Sequence, residues 1–223
     1  MKSTAITILG LVVSVHATVQ GFDISSYQSS VNFAGAKSSG AGFVIIKATE
    51  GTDYISPDFS TQYTGATNAG LIRGGYHFAH PGETTGAAQA NYFIAHGGGW
   101  SGDGMTLPGM LDLESEDDGE CWGLSTSAMV SWIQDFSKTY HSSTGRYPML
   151  YTSPSWWETC TGNSNAFASN NPLVLADYNS EIGTIPGGWP YQTIWQYADS
   201  YTYGGDADSF NGNQASLVKL ATG

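Results

Sequence analysis

Short apolar runs rich in β-branched and aromatic residues recur along the chain, separated by longer stretches with helical spacing. Gly21–Ser25, Phe43–Ala48, Arg73–Ala79, Leu107–Glu114, Pro148–Thr152, Leu173–Tyr178 and Thr193–Tyr197 read as strands, with a weaker eighth near Ser209-Phe210. Several are apolar almost without interruption, as strands covered on both faces are. Strands alternating with helices predict an α/β chain built on a mainly parallel sheet.

Three helices have legible ends. Ser56-Pro57 fits a cap followed by proline, with Phe59, Tyr63 and Ala66 at helical spacing behind it. A second helix is expected from about Thr85 to Ala95. In the third, Ser125 or Thr126 caps a stripe of Met129, Ile133, Phe136 and Tyr140 that Gly145 can end, and the stripe reads as core. The glycine-rich stretch Gly97–Gly104 is a loop within one domain, because strand and helix patterns continue on both sides of it.

Residues 1–17 read differently. Lys2 precedes an apolar run from Ala5 to Val15, and Val15-His-Ala17 offers small residues for cleavage, which is the pattern of a secretory signal. The run is too short to cross a bilayer. A secreted, single-domain protein comprising residues 18–223 is expected, with a monomer as the economical assembly. An exported chain meets an oxidising compartment, so its only two cysteines, Cys121 and Cys160, are expected to pair.

The formal net charge is −12, from 19 acidic and 7 basic residues. Such a surface repels nucleic acid and anionic lipid, so neither is an expected partner. The acids are not scattered: Asp23 ends the first strand, Glu50 follows the second, Asp112 and Glu114 end the fourth, and Asp177 ends the sixth. In a parallel α/β barrel the strand ends gather at one face. Asp112 and Glu114, two apart, point the same way, and neighbouring carboxylates titrate apart into one acid and one anion. That pair suits hydrolysis of a glycosidic bond. The Glu116–Glu120 cluster lacks the ligand spacing of a calcium loop, and no metal or cofactor is called for. His77 reads as a satisfied core histidine. Lys47, in an apolar strand, needs a carboxylate partner, and either a structural ion pair or a substrate contact would serve.

Gly21-Phe-Asp-Ile-Ser-Ser-Tyr-Gln28, Phe43–Gly51, Gly75-Tyr-His-Phe78, Met110-Leu-Asp-Leu-Glu114, Trp195-Gln-Tyr197 and Asp206–Gly212 together resemble the glycoside hydrolase family 25 lysozymes, the Chalaropsis-type muramidases. The blocks occur in the family's order and span nearly all of residues 18–223. The resemblance implies an irregular, TIM-like (β/α) barrel that cleaves the β-1,4 bond between N-acetylmuramic acid and N-acetylglucosamine in bacterial peptidoglycan. It assigns Glu114 as general acid, Asp112 as its close partner, and Asp23 and Asp206 to charge stabilisation and substrate positioning. Asp112 either attacks the sugar or orients the substrate's N-acetyl group. Asp208 stands where the family often has Asn, leaving open which aspartate of this block faces the cleft. Tyr76, Tyr151, Asp177, Trp195 and Gln196 are the expected substrate-binding residues. A chitinase-like hydrolase and a non-catalytic glycan-binding protein are the alternatives; the first wants aspartates where Leu107 and Met110 stand, and the second has no need of paired acids.

Overall fold

A computed structural model describes residues 17–116 and 119–223. The signal-like segment therefore lies outside the described residues except for Ala17. Nine strands form one sheet: β1 (Val19–Ile24), β2 (Phe43–Glu50), β3 (Tyr54–Ile55), β4 (Ile72–Phe78), β5 (Met110–Asp112), β6 (Met149–Thr152), β7 (Leu173–Ala176), β8 (Ile194–Ala198) and β9 (Asp206–Phe210). Their order is β1-β9-β8-β7-β6-β5-β4-β2-β3, and β1 also pairs with β2, so eight strands close into a barrel with β3 appended. Neighbours are parallel except for β3 against β2 and for β9, which is antiparallel to both β1 and β8. All eight strands read from the sequence are present, and the weak one is the antiparallel closing strand.

Six α-helices cover the barrel: α1 (Phe33–Ser38), α2 (Phe59–Asn68), α3 (Gly86–Phe93), α4 (Thr126–Thr144), α5 (Pro154–Thr161) and α6 (Gln214–Thr222). Ser125 caps α4 by accepting from the Ala128 N–H, and Gly145 ends it in the left-handed region at φ 77°. The expected cap on α2 is displaced. The helix begins at Phe59 behind Asp58, while Ser56 and Pro57 belong to the preceding turn. The helix expected to reach Ala95 leaves α geometry after Phe93 and runs into a wider turn at Ile94–Gly98.

β5 is shorter than the apolar run that announces it. Pro108 has no N–H to give, and the Gly109 N–H goes to the Tyr140 hydroxyl at 2.8 Å instead of to a strand. Beyond Asp112 the chain stays extended long enough for the Leu113 N–H to reach the Tyr151 carbonyl at 3.0 Å. Leu113 thus points into the helix layer and Glu114 returns to the side of Asp112.

Alternation along the strands divides the core. Phe43, Ile45, Ile72, Met110, Met149, Val174, Ile194 and Phe210 fill the lower barrel, closed beneath by Leu217 and Ala221 of α6. The opposite strand faces pack against the helices through residues such as Leu111, Leu150, Leu173 and Leu175 with Phe93, Phe136 and Trp157. Gly21 is required inside: a Cβ there would lie 2.3 Å from the Phe43 ring. The Cys121–Cys160 disulfide forms as expected, tying the loop after β5 to α5.

Candidate active site

Inward positions in the upper barrel change from apolar to polar. Asp23, Lys47, Tyr76, Asp112 and Asp206 line a cavity of about 240 Å³ at the C-terminal ends of the parallel strands, together with Glu114. Glu114 also borders a second cavity of about 440 Å³, lined by Tyr151, Asp177, Tyr178, Ser155 and Trp156. The general-acid candidate therefore stands where the two halves of one cleft meet.

Asp23 and Asp206 come from opposite ends of the chain and face each other as register partners on β1 and β9. Gly205 makes this possible, because its φ is +73° and a Cβ there would lie 1.8 Å from the Asp23 carbonyl oxygen. Gln196 bridges the two carboxyls: its Nε2 donates to Asp23 at 2.7 Å and to Asp206 at 3.4 Å. Its Oε1 accepts from the hydroxyls of Tyr151 and Tyr178, both at 2.8 Å, which fixes the orientation of the amide. Burial, with Asp206 next in importance, pushes Asp23 up to about 8.

Asp112 is 6% exposed, and its Oδ1 has no hydrogen-bond partner. Burial first, then the Glu114 charge, holds its carboxyl well above the usual range. Glu114 is also raised, by burial first, and the Lys47 ammonium opposes the shift. The pair is expected to divide into one acid and one anion; here both carboxyls are raised, and burial is the first cause for each. The deeper carboxyl is Asp112, and desolvation acts on both members of the pair.

Lys47 is the cation on the cleft floor. It pairs with Glu50 at 2.5 Å and lies over the Phe78 ring, 4.7 Å from its centroid. Glu50 in turn meets His80 Nε2 at 3.2 Å, and the same nitrogen lies 3.3 Å from Glu116. Ligand atoms of Glu50, His80 and Glu116 lie within 4.8 Å of one another, although Lys47 already occupies Glu50 Oε2. Asp117 and Asp118 of the acidic loop fall outside the described residues.

Asp206 faces the cleft, whereas Asp208 lies deeper on the same strand face, 1% exposed and with neither carboxyl oxygen partnered. Trp195 is not brought into the cleft. Gln196 takes the inward position of β8, so Trp195 turns outward, donating to the Asp177 carbonyl at 2.7 Å and tilting against Tyr197. Asp177 sits at the rim and organises its loop, accepting from Asn179 and from the Gly183 N–H. Tyr76 and Tyr151 are inward on β4 and β6, and burial first, then the Asp112 charge, raises both phenols well above the usual value. His77 is a core histidine, held between Thr49 and Gln89 and lowered to about 4 by burial. Sequence reasoning missed Tyr178 as a site residue. It is 52% exposed on the cleft wall, and strand parity from Asp177 points it away from where the loop carries it.

The Glycosyl hydrolases family 25 model matches residues 22–206, a span that contains every carboxylate of the cleft. The chain belongs to that family. It is 72% identical over 211 residues to the N,O-diacetylmuramidase of Chalaropsis sp, covering 92% of this chain and 100% of that protein. It is 48% identical to Lysozyme M1 of Streptomyces globisporus, over 91% of this chain and 71% of that one. The family 25 lysozyme of Aspergillus fumigatus superposes with a TM-score of 0.91 at 57% identity, covering 93% of this chain and 100% of that structure. Membership accounts for the glycosidase chemistry of a barrel mouth lined with acids, and the eight-stranded closed barrel is the fold of these relatives.

Proposed function

We propose that this protein is a muramidase, hydrolysing the β-1,4 bond between N-acetylmuramic acid and N-acetylglucosamine in bacterial peptidoglycan. The observation that carries the reading is the Asp112–Glu114 pair at the junction of the two cleft halves, facing Asp23 and Asp206. The relatives named as muramidases and lysozymes support the same substrate. Glu114 donates its proton to the glycosidic oxygen, and the aglycone leaves as a positive centre develops at the sugar carbon. The negatively polarised carboxyl oxygens around the cleft stabilise that charge more than they stabilise the neutral ground state.

Asp112, whose carboxyl borders the cleft floor beside Glu114, accepts the N–H of the substrate's N-acetyl group. The acetyl oxygen, so oriented, closes on the sugar carbon as the aglycone departs. Water then opens that ring, with the Glu114 carboxylate taking its proton back. Burial of Asp112 favours this orienting role over direct attack.

The protein acts outside the cell in this reading, supported by the residue 1–17 pattern and by the disulfide. No described helix is long and apolar enough to cross a membrane. A monomer is the assembly taken in this reading.

Digestion of purified peptidoglycan, with identification of the new reducing end, tests the reading. Muramic acid is expected; glucosamine at the reducing end, or no new reducing end, would overturn it. Walls stripped of their N-acetyl groups should resist cleavage, and equal cleavage of both would remove the role given to Asp112.

A further inference from the structure

A further concavity lies at the other end of the barrel. It has a volume of about 720 Å³ and sits where β6, β7 and β8 begin and β9 ends, beside α6. Its size is that of a small-ligand or oligosaccharide site. Trp189, 6% exposed, gives it a fixed floor, because its indole donates to the Asn171 carbonyl at 2.7 Å. Tyr191, 59% exposed, stands beside it as an open aromatic surface, with the exposed amides of Asn170 and Asn211 nearby.

Charge makes this groove unlike the rest of the protein. The chain has 19 Asp and Glu against 7 Lys and Arg, yet the groove's described lining contains Arg146 and Lys219 and no acidic side chain, the backbone of the last residue given, Gly223, bordering it beside Arg146. Neither cation has a carboxylate partner among the described residues. The ion pairs found belong to Lys47, Arg73 and His80. The Arg146 guanidinium is instead held over Trp100, 5.4 Å from the ring centroid. An exposed phenol ring, the exposed amides of Asn170 and of Asn211, the latter giving one N–H to the Gln192 carbonyl at 3.1 Å, and two cations without a carboxylate partner among the described residues match a sugar chain that carries carboxylates. A sugar's apolar face stacks on the ring, its hydroxyls bond the amides, and its carboxylates meet Arg146 and Lys219.

We propose that this groove is a second, non-catalytic binding site for peptidoglycan glycan, through the sugar ring and the carboxylates of its muramyl and peptide groups. The proposal rests on the muramidase reading for the identity of the polymer, but not on the cleft's chemistry. A polymer substrate touches both faces, so even a weak second contact raises residence on the wall through effective concentration. A strongly acidic enzyme, repelled by an anionic wall, gains most from such a local foothold.

The test uses full-length protein carrying Glu114→Gln, so that binding is read without digestion. Tyr191→Ala and Lys219→Ser, made singly in that background, are each expected to weaken binding to purified insoluble peptidoglycan about fivefold to tenfold, as loss of one arm of a two-site contact does. Resonances of Trp189 and Tyr191 should also shift when a soluble muramyl-peptide oligosaccharide is added. Unchanged wall binding in both variants overturns the proposal. So does weakening by Lys219→Ser alone with Tyr191→Ala unaffected, which indicates diffuse charge attraction. In the active background both variants should keep normal turnover of a short soluble fragment. Loss of that turnover together with wall binding would indicate damage to the fold and overturn the assignment. Failure of the muramidase reading shows separately, as the wrong reducing-end sugar from the unmodified enzyme.

Discussion

Asp23 and Asp206 occupy opposed positions on antiparallel strands, and one amide, Gln196 Nε2, serves both carboxyls. Two carboxylates at this separation cannot both ionise cheaply in a buried site. The amide lowers Asp23 against burial and against Asp206, and the result is still a carboxyl pushed up to about 8. This pair keeps a proton near neutrality and changes charge in step with its surroundings, opposite the Asp112–Glu114 pair.

Gln196→Leu should therefore damage the site through several partners at once. It removes the donor to Asp23 and Asp206 and the acceptor of Tyr151 and Tyr178. Stability is expected to fall by about 2 kcal/mol from the orphaned polar groups. Turnover is expected to fall about 10- to 100-fold as the carboxyls lose their fixed placement. Thermal unfolding and steady-state kinetics on peptidoglycan read the two effects separately; a variant with normal turnover would exclude the bridge from catalysis.

Glu114→Gln removes the proton donor and preserves the shape of the side chain. Turnover should drop by at least about 10³-fold, within the range of general acid catalysis, while the melting temperature stays level or rises. Residual turnover near that of the unmodified enzyme would reassign the acid.

Lys47 is the lever on the pH profile. Its ammonium lowers both Glu114 and Asp112, so Lys47→Met should raise both further. The alkaline limb of kcat/KM, where the acid ionises, is then expected to move to higher pH, as loss of a nearby opposite charge requires. The unmodified enzyme should work best in mild acid; a maximum above about pH 8 would contradict a carboxyl acid.

Asp208 destabilises the fold as pH rises. Burial, then Asp23 and Asp206, hold its carboxyl well above the usual range, so the folded chain keeps a proton that the unfolded chain releases above about pH 4. A folded-state value above the unfolded one means stability is fullest in acid and is lost as pH climbs toward the raised value, by up to about 1.4 kcal/mol per pH unit. Asp208→Asn removes this group's share of the dependence, while the raised carboxyls of Asp23, Asp112 and Glu114 keep theirs. Its melting temperature should exceed that of the unmodified protein at pH 7, with the gap closing near pH 4, in thermal scans across that range.

Reduction of the Cys121–Cys160 bond should cost about 4 kcal/mol by the entropy of the loop it closes. The loop carries Trp122, whose indole donates to the Glu114 carbonyl at 2.9 Å. Activity in a reductant series should accordingly fall before the melting of the barrel itself, measured by far-ultraviolet circular dichroism.

Much of this was legible in the sequence because strands of a parallel barrel are continuous apolar runs, and a carboxylate that ends such a run is carried to the barrel mouth whatever the details. Asp23, Asp112 and Glu114 were found in that way, and α4 was found by its stripe and its caps. Register and parity were not legible, since they depend on partners distant in the chain. Asp206 and Asp208 look alike in sequence, and only the pairing of β9 with β1 puts one in the cleft and buries the other. Trp195 and Gln196 compete for the inward side of β8, and closure of the barrel against β9 gives it to the glutamine. Lys47 found its carboxylate three residues away, but that Glu50 also meets His80 follows from β2 lying beside β4. Local pattern determined which residues stand at strand ends; tertiary pairing decided which of them share a proton, a donor or a cation, because those interactions act over a few ångströms between segments far apart in sequence.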